Sequence, residues 1–412
     1  MANNTSLQMA DKLESWAEQL REIAADIRNN SESPNLSHEQ HAKLTGTAKD
    51  ILKTVKQPQE RLMESMIVIA ELAALRMFIK WKVFEIIPGH GTISYKDLAL
   101  KLGAETSLIT RLAWMLVGTG LLKQVGIDQL AHTETSKSFV SSSPLSSLVE
   151  NGFDNHLRSL VFMPDYFDKY TLREPIGRYQ TIHAFAAGNP DLTVWEHMHR
   201  DQSRMASFMT SMVAMAKNLP VVGSYDFSWL LAKAKESDDR VLVVDVGGGQ
   251  GHALEAIFQA TPGLPANRCV VEDLSEVVEA AKAAATGQLA SAQFITMDFH
   301  SEQPVNGKLN LRALIYYIRR CLHDYGDEDS VKMLKQIQFA MSTDSRVLIV
   351  EEVLHNPPSP MASATDIFMA TLGGKERTLD NFVTIASEAG LRIVETHRCK
   401  GSGIAVIECV KV

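Results

Sequence analysis

The chain has 412 residues, of which 45% are hydrophobic and 22% are charged, so two or more domains with an ordinary apolar core are expected. Its 41 basic and 49 acidic side chains give a formal net charge of −8, which argues against a general binder of nucleic acid.

The sequence predicts a cytoplasmic protein that does not span a membrane. The most apolar long stretch, residues 62–87, carries six charged side chains, too many for a bilayer span. The polar N-terminus offers no secretory signal. The cysteines have no metal-ligand spacing, and buried thiols in a reducing compartment are expected for most of them. They are Cys269, Cys321, Cys399 and Cys409.

Residues 5–28 form the first predicted helix. Its apolar side chains recur every three or four residues, which places them on one face that must pack against another element. A polar linker follows at 29–34, and residues 61–87 then predict a long, mostly buried helix that Pro88-Gly89 ends.

A winged-helix arrangement is predicted next, from helical patterns at 92–102 and 106–118 and a strand pair at 121–125 and 129–133. Such a unit often reads DNA, but its second helix has a single basic residue, Arg111, and is apolar over most of its surface. This pattern favours a buried helix with a structural or dimerisation role.

Residues 149–215 are helical in pattern and rich in methionine and aromatic side chains. Such a surface suits a pocket for a flat aromatic ligand, although plain helical core is the better explanation for any single one of these residues. His197 and His199 are two residues apart and would point to different sides of a helix, which disfavours a metal pair.

Residues 240–257 predict a buried strand, a tight turn and a helix. Asp245 ends the strand, and three glycines follow at alternate positions from 247 to 251. A dinucleotide fingerprint would need glycine in place of His252, and a phosphate-binding loop would need a lysine that this turn lacks. The remaining form, Asp-x-Gly-x-Gly-x-Gly, resembles the first motif of S-adenosylmethionine (SAM) methyltransferases; a purely structural turn is the alternative.

Strand and helix patterns alternate from residue 240 onward, which predicts a mostly parallel, doubly wound sheet. The predicted strands are 240–247, 268–274, 292–299, 309–319, 346–354, 391–398 and 403–411. The predicted helices are 251–260, 276–286, 328–342 and 378–389. The last two strands are joined by Lys400–Gly403, a hairpin that requires an antiparallel edge. Polar side chains cluster at the strand ends, where such sheets bind ligands: Asp245, Asp273, Asp298, His323 and Glu351.

Three C-terminal motifs complete the pattern. They are Tyr316–Tyr325, which contains His323-Asp-aromatic, Val350-Glu-Glu352, and the Gly-Gly-Lys-Glu-Arg-Thr loop at 373–378. With these motifs the chain resembles, over nearly its full length, the caffeate- and hydroxyindole-type O-methyltransferases of plants and fungi. It is most similar to the fungal branch that acts on polyketide phenols. Tyr325 is a departure, because plant members usually have tryptophan there.

The resemblance implies an α/β protein with a Rossmann-like, doubly wound, seven-stranded methyltransferase domain, preceded by an α-helical winged-helix dimerisation domain. The implied division is an N-terminal extension (1–60), the winged-helix region (61–145), a helical substrate-pocket or linker region (146–225) and the SAM-binding domain (226–412). A homodimer that binds a small aromatic or polyketide substrate is expected.

The resemblance also implies roles for particular residues. His323 would be the general base, flanked by Glu351 and Glu376. SAM would be bound by Asp245, Gly247, Gly249, Gly251, Asp273, Asp298, Phe299 and Arg319, with Asp273 on the ribose, Glu272 a lesser candidate there, and Asp298 and Phe299 around the adenine. The candidates for the acceptor pocket are Phe185, Trp195, Met209, Met212, Asp324, Phe368 and Met369.

The chemistry is consistent with these roles, because a phenol with a pKa of about 10 becomes a better nucleophile beside a base that titrates near neutrality, as histidine does. No metal is expected. Two other functions stay open. Some relatives of the fungal enzymes bind SAM but catalyse dehydration or pericyclic ring closure without methyl transfer. A winged-helix regulator with a vestigial cofactor domain is the third possibility.

Overall fold

The computed structural model describes residues 2–29, 36–140, 143–175, 177–216, 221–305, 312–399 and 401–412. The chain divides into two compact units. The first comprises residues 1–75 and 111–119, and the second comprises residues 76–110 and 120–412.

The α-helices, in chain order, are α1 (Ala2–Asn29), α2 (His38–Val55), α3 (Pro58–Lys80), α4 (Val83–Ile86), α5 (Tyr95–Leu102), α6 (Thr106–Gly118), α7 (Pro144–Asn151), α8 (Arg158–Val161), α9 (Met163–Tyr170), α10 (Ile182–Ala186), α11 (Val194–His199), α12 (Gln202–Ala216), α13 (Trp229–Glu236), α14 (His252–Ala260), α15 (Ser275–Ala284), α16 (Asp327–Ala340), α17 (Pro360–Leu372) and α18 (Leu379–Glu388). The strands are β1 (Ile93–Ser94), β2 (Leu122–Val125), β3 (Gln129–His132), β4 (Val243–Val246), β5 (Cys269–Asp273), β6 (Gln293–Thr296), β7 (Ile315–Arg319), β8 (Arg346–Leu354), β9 (Arg377–Thr378), β10 (Leu391–Arg398) and β11 (Ile404–Lys411). A π-helical turn, Gly152–Leu157, joins α7 to α8.

The first unit contains α1 and α2, which pack against each other. The α2 helix begins with a capping box in which Ser37 and Gln40 satisfy each other's backbone N–H groups, and Gln40 also donates to Asp26 of α1 at 2.9 Å. The helix predicted at 5–28 is confirmed.

The long helix predicted at 61–87 needs two corrections. Lys82 adopts a left-handed φ of +55°, which ends α3 and starts α4 as a separate turn. Every residue from 57 to 70 is exposed, so the described part of the chain does not bury this segment. Apolar composition predicted burial but could not tell an interior from a surface that another molecule covers.

The winged-helix elements are present. The predicted strand pair forms β2 and β3, and β1 adds a third strand in the order β1-β3-β2. The α6 helix buries Ile109, Ala113 and Leu116, whereas Leu108 and Trp114 are 43% and 57% exposed. It was expected to be buried and is instead apolar on both its buried and its exposed face.

The central sheet of the second unit has the order β10-β11-β8-β7-β4-β5-β6, with β9 paired to β8. Strands β4 to β8 are parallel, and β10 and β11 form the antiparallel edge. All seven predicted strands and four predicted helices in this part of the chain are confirmed within a few residues, although Lys400 and residues 306–311 lie outside the described residues. The α13 and α17 helices were not predicted.

The order of the strands in the central sheet determines where the candidate site lies. β4 pairs in parallel with β5 on one side and with β7 on the other, so the order in which strands are added to the sheet reverses at β4. Ligands of doubly wound sheets bind at such a switch, beyond the carboxyl ends of the strands. Within the described residues, no helix is long and apolar enough to cross a membrane.

Candidate active site

The glycine turn leaves the carboxyl end of β4. Gly247, Gly249 and Gly251 have φ values of +71°, +55° and +82°, which side-chain-bearing residues rarely adopt. The turn is also closely packed, because a Cβ on Gly247 would lie 2.6 Å from Cζ of Phe299. At Gly249 the described residues, its two chain neighbours aside, place no atom within 4 Å of the corresponding position, so that side of the turn is open to a ligand.

Asp273 fixes the turn from the neighbouring strand. Its Oδ2 accepts the backbone N–H of Gly249 at 2.8 Å, and its Oδ1 accepts the N–H of Leu274 at 2.8 Å. Burial raises the pKa of Asp273, and the two N–H donors oppose the shift. Each carboxylate oxygen keeps a lone pair for a further donor.

Asp245 lies beneath the turn and is 1% exposed. Its Oδ2 has no hydrogen-bond partner among the described residues, and burial raises its pKa to about 7 against the opposing charge of Arg319. Nε of Arg319 is likewise buried without a partner. Asp298, by contrast, is exposed in the loop after β6, where its Oδ1 accepts the N–H of His300.

A buried imidazole–carboxylate pair follows β7. His323 lies in the turn Leu322–Asp324, and its Nδ1 is 2.8 Å from Oε1 of Glu376. Because an ionised carboxylate only accepts, Nδ1 carries the hydrogen and Nε2 has the free lone pair. Burial lowers the pKa of His323, so the imidazole is neutral at neutral pH.

Asp324 lies on the Nε2 side of the imidazole, with Oδ1 at 3.5 Å. Burial raises the pKa of this carboxyl to about 6, and the neighbouring His323 opposes the shift. A second acidic group therefore lies within reach of whatever binds at Nε2.

Glu351 supports the same turn from β8. Its Oε1 accepts the backbone N–H groups of Cys321 and Leu322, each at 3.0 Å, while its buried Oε2 has no partner among the described residues. Ligating atoms of His323, Glu351 and Glu376 lie within 4.8 Å of one another. The sequence showed no metal-ligand spacing because these side chains come from three separate segments. The two backbone donors account for Oε1 of Glu351, and the contact with Nδ1 of His323 accounts for Oε1 of Glu376.

Arg377 was missed in the sequence. Its side chain is fully buried and donates to the carbonyl oxygens of Leu322 and Tyr325, both at 2.9 Å, and to Oγ of Ser330 at 3.0 Å. Its position in the Gly-Gly-Lys-Glu-Arg-Thr loop, which the sequence analysis had already singled out, could have indicated a role for this arginine.

The candidates for the acceptor pocket fall into separate groups. Phe185 packs edge-on against Tyr166, with ring centroids 5.9 Å apart. Trp195 packs edge-on against Phe208 of α12 at 5.6 Å. The half-buried Met209 and Met212 lie on α12, and the half-buried Phe368 and the buried Met369 lie on α17. Oδ1 of Asp324 lies 3.5 Å from Nε2 of His323.

The ring of Phe368 packs against a histidine that the sequence did not single out. The centroids of Phe368 and His156 are 5.0 Å apart at an interplanar angle of 33°. A second unpredicted histidine, His183, contacts His197 with centroids 5.4 Å apart. Isolated histidines in a helical segment carried no spacing signal.

Comparison with known protein families gives two matches. Residues 170–392 match the O-methyltransferase domain, and residues 63–148 match the O-methyltransferase dimerisation domain. The second match supports the interpretation of the winged-helix region as a dimerisation unit.

Individual relatives agree with these matches. The chain is 37% identical over 392 residues to the methyltransferase cfoD of Aspergillus candidus, covering 93% of this chain and 95% of the relative. It is 28% identical to the O-methyltransferase kntB of Aspergillus niger, covering 82% and 80% of the two chains. A solved structure described as a pericyclic reaction enzyme superposes with a TM-score of 0.82 at 21% identity, covering 97% of this chain and all of that one. At this identity the likeness shows the fold alone.

Proposed function

The chain belongs to the O-methyltransferase family and is a SAM-dependent methyltransferase, and we propose that it methylates a hydroxyl of an aromatic or polyketide-type secondary metabolite with His323 as the general base. The observation that supports the base is the buried pair in which Glu376 holds Nδ1 of His323 and leaves Nε2 with a free lone pair.

The proposed mechanism needs little covalent chemistry from the protein. When bound, SAM supplies an electrophilic methyl group on a good leaving group, so the chain mainly aligns the acceptor with it. Nε2 of His323 accepts the proton of the acceptor hydroxyl as that oxygen is methylated. Glu376 fixes the tautomer, and together with Glu351 it stabilises the imidazolium that forms.

The residues of the glycine turn fit SAM. The open side at Gly249 would let the backbone approach the cofactor, and the remaining lone pairs of Asp273 would accept ribose hydroxyls. The orphaned Nε of Arg319 is a donor for an anionic group of the cofactor, such as its carboxylate.

We propose that the protein acts as a homodimer. The dimerisation-domain match covers residues 63–148, and the exposed start of α3 carries six large apolar side chains between 47% and 61% exposed. They are Leu62, Met63, Met66, Ile67, Val68 and Ile69. An exposed patch of this kind marks an interaction surface. A clean monomer in sedimentation at micromolar concentration would overturn the dimer.

The enzymatic proposal is tested by mass spectrometry after incubation with methyl-deuterated SAM and a panel of phenolic polyketides. We expect a product heavier by one labelled methyl group. His323→Ala should lower turnover by about 10²- to 10⁴-fold with unchanged SAM affinity, while His199→Ala, at an exposed histidine, should have no effect.

The same measurement separates the alternatives. Unchanged turnover in His323→Ala would rule out His323 as the base. Conversion of the acceptor with no label gained and SAM left intact would replace methyl transfer with a SAM-assisted dehydration or ring closure.

A further inference from the structure

Arg320 lies at the corner where the chain leaves β7 for the turn that carries His323. Its N–H still donates to the carbonyl oxygen of Val350 in the neighbouring strand, at 3.1 Å. The next two N–H groups of the chain donate instead to the side chain of Glu351. Arg320 makes this change of direction with a left-handed φ of +54°.

A left-handed backbone is unfavourable for a residue with a long side chain. Glycine adopts it freely and asparagine at small cost, whereas other side chains crowd the backbone. The hydrogen bond from the N–H of Arg320 would be made by any residue other than proline, so the turn itself does not require an arginine. The side chain of Arg320 therefore calls for a reason of its own.

The guanidinium of Arg320 faces the carboxylate that holds the imidazole. Its Nη1 lies 3.7 Å from Oε1 of Glu376, the same oxygen that accepts the hydrogen of Nδ1 of His323 at 2.8 Å. The side chain of Glu376 is fully buried, and that of Arg320 is only 17% exposed. A buried carboxylate needs such partners, because an unpaired charge is strongly disfavoured inside a protein.

Most charged groups around this pair and the side chains that hold it are acidic. They are Asp324 in the turn itself, Glu351 and Glu352 of β8, Glu376 before β9, Asp366 of α17 and Asp327 of α16. The cations are Arg320 and Arg377. The guanidinium of Arg377 is occupied by Asp327 and by backbone carbonyl oxygens. Among the described residues, that of Arg320 pairs with Glu376 alone.

A positive charge at this place opposes proton uptake by the pair. Burial raises the pKa of Glu376, and Arg320 is the largest influence that lowers it. Burial lowers the pKa of His323, and Arg320 lowers it further. Because the two side chains share a hydrogen bond, they titrate as one unit, and Arg320 disfavours an added proton whichever of them receives it.

We propose that Arg320 is a positioning residue for methyl transfer, which acts through Glu376 to keep the pair in the state with one hydrogen on Nδ1 and a free lone pair on Nε2 of His323. A second proton gives either an imidazolium beside a carboxylate, or a carboxylic acid that donates to Nδ1 of an imidazole with its hydrogen on Nε2. In both states Nε2 carries a hydrogen and cannot act as the base. The inference rests on the proposed function, because it assigns Arg320 to the base of that reaction.

Nuclear magnetic resonance tests the proposal without methyl transfer. The full-length protein carries isotopically labelled histidine and is saturated with S-adenosylhomocysteine. The nitrogen shifts distinguish hydrogen on Nδ1, hydrogen on Nε2 and imidazolium, and the signals of His323 are those missing from His323→Gln. In Arg320→Asn, the second proton should bind at a pH higher by about 1 than in the unmodified protein. Arg320→Lys, which keeps the charge, should restore most of the difference.

Asparagine is chosen because it tolerates the left-handed backbone. Lys82→Asn is the matched control, since Lys82 is an exposed cation with a φ of +55° between α3 and α4, and the titration of His323 should be unchanged in it. The same protonation state of His323 in Arg320→Asn and in the unmodified protein, at every pH at which both are folded, would overturn the proposal. Hydrogen on Nε2 in the unmodified protein at neutral pH would overturn it as well.

The pH–rate profile separates an electrostatic role from a purely structural one. In Arg320→Asn the acid limb should move to higher pH by the same amount, and kcat should return to that of the unmodified enzyme as the pH is raised. Arg320→Lys should stay close to the unmodified enzyme throughout. A kcat lowered by one factor at every pH would mean that Arg320 merely supports the turn, and the proposal would be wrong.

Failure of the proposed function has a different signature. If no acceptor gains a methyl group while the titration of His323 moves in Arg320→Asn as expected, the proposed reaction is wrong and the effect of Arg320 on the pair stands. Methylation by the unmodified protein together with an unmoved titration would reject the role of Arg320 alone.

Discussion

Arg377 donates a hydrogen bond to the carbonyl oxygen of Leu322, the residue that precedes His323, at 2.9 Å. The preceding residue in the loop, Glu376, holds the imidazole of His323 itself. Two consecutive residues of one loop therefore fix the backbone and the ring orientation of the proposed base, although they follow it by more than 50 positions.

Replacing Arg377 with methionine should lower both stability and turnover. The carbonyl oxygens of Leu322 and Tyr325 would lose a charged donor inside the protein, which should reduce the free energy of unfolding by roughly 2–5 kcal/mol. The turn that positions His323 would loosen, so kcat should fall at least tenfold with little change in SAM affinity. Urea unfolding and steady-state kinetics measure both effects.

Lys233→Met is the matched control for Arg377, because Lys233 forms a surface ion pair with Glu236, one turn away on α13. Arg377→Lys should be intermediate, since an ammonium keeps the charge but cannot reproduce the planar fork of donors. Stability and kinetics like those of the unmodified enzyme in Arg377→Met would show that the turn holds its shape without this side chain.

Glu351→Gln should move the acid limb of the pH–rate profile to lower pH. The negative charge of Glu351 raises the pKa of His323 against the larger effect of burial. Removing that charge destabilises the imidazolium, so the pKa of His323 falls further and the base stays unprotonated at more acidic pH. The amide oxygen can still accept the N–H groups of Cys321 and Leu322, so the turn should keep its geometry.

At its plateau, kcat of Glu351→Gln should be lower, because the imidazolium formed during the reaction is less stabilised. Glu395→Gln, at an exposed position of β10, is the control. An acid limb that stays in place, or moves to higher pH, would contradict the proposed electrostatic role of Glu351.

Much of this architecture was predictable from sequence. The apolar runs that became β4, β5, β7 and β8 are bounded by turn residues and alternate with helical patterns, so the local signal and the tertiary fold agree. The glycine turn and His323 were recognised because their spacing is short and their motif is specific.

The remaining features depended on information that is not local. The start of α3 has the composition of a core, and only the folded structure shows that the described residues leave it exposed. His183 and His197 are 14 residues apart, and their contact depends on how short helices pack. Arg377 was overlooked because its hydrogen bonds reach back to a turn from a distant segment of the chain.

Glu272→Gln should raise the free energy of unfolding in alkaline solution. Glu272 is fully buried, and burial raises its pKa from 4.5 to about 8 although the side chain of Gln303 opposes the shift. Between these two values the folded state holds a proton that the unfolded state releases. The wild-type protein therefore loses stability as the pH rises from about 4.5 to about 8.

Glutamine at position 272 does not titrate, so the stability difference in favour of the variant should grow across that pH window and level off above it. Urea unfolding at several pH values measures the difference, with Glu279→Gln, at an exposed position of α15, as control. A difference that stays constant with pH would mean that Glu272 keeps an ordinary pKa in the folded protein.

Gly374→Ala should disable the active site through a backbone clash rather than through a lost functional group. A Cβ at this position would lie 2.2 Å from the carbonyl oxygen of His323 and 2.8 Å from the carbonyl carbon of Asp324. Neither atom belongs to a flexible side chain, so the loop and the turn must separate. The separation would lengthen the hydrogen bond from the N–H of Lys375 to the carbonyl oxygen of His323, now 2.8 Å, and move Glu376 away from the imidazole.

We expect kcat to fall at least tenfold and the free energy of unfolding to fall by roughly 1–3 kcal/mol, with SAM affinity retained. Gly89→Ala is the control, because no atom lies within 4 Å of its added Cβ. Turnover in Gly374→Ala equal to that of the control would show that the catalytic pair does not depend on this close approach.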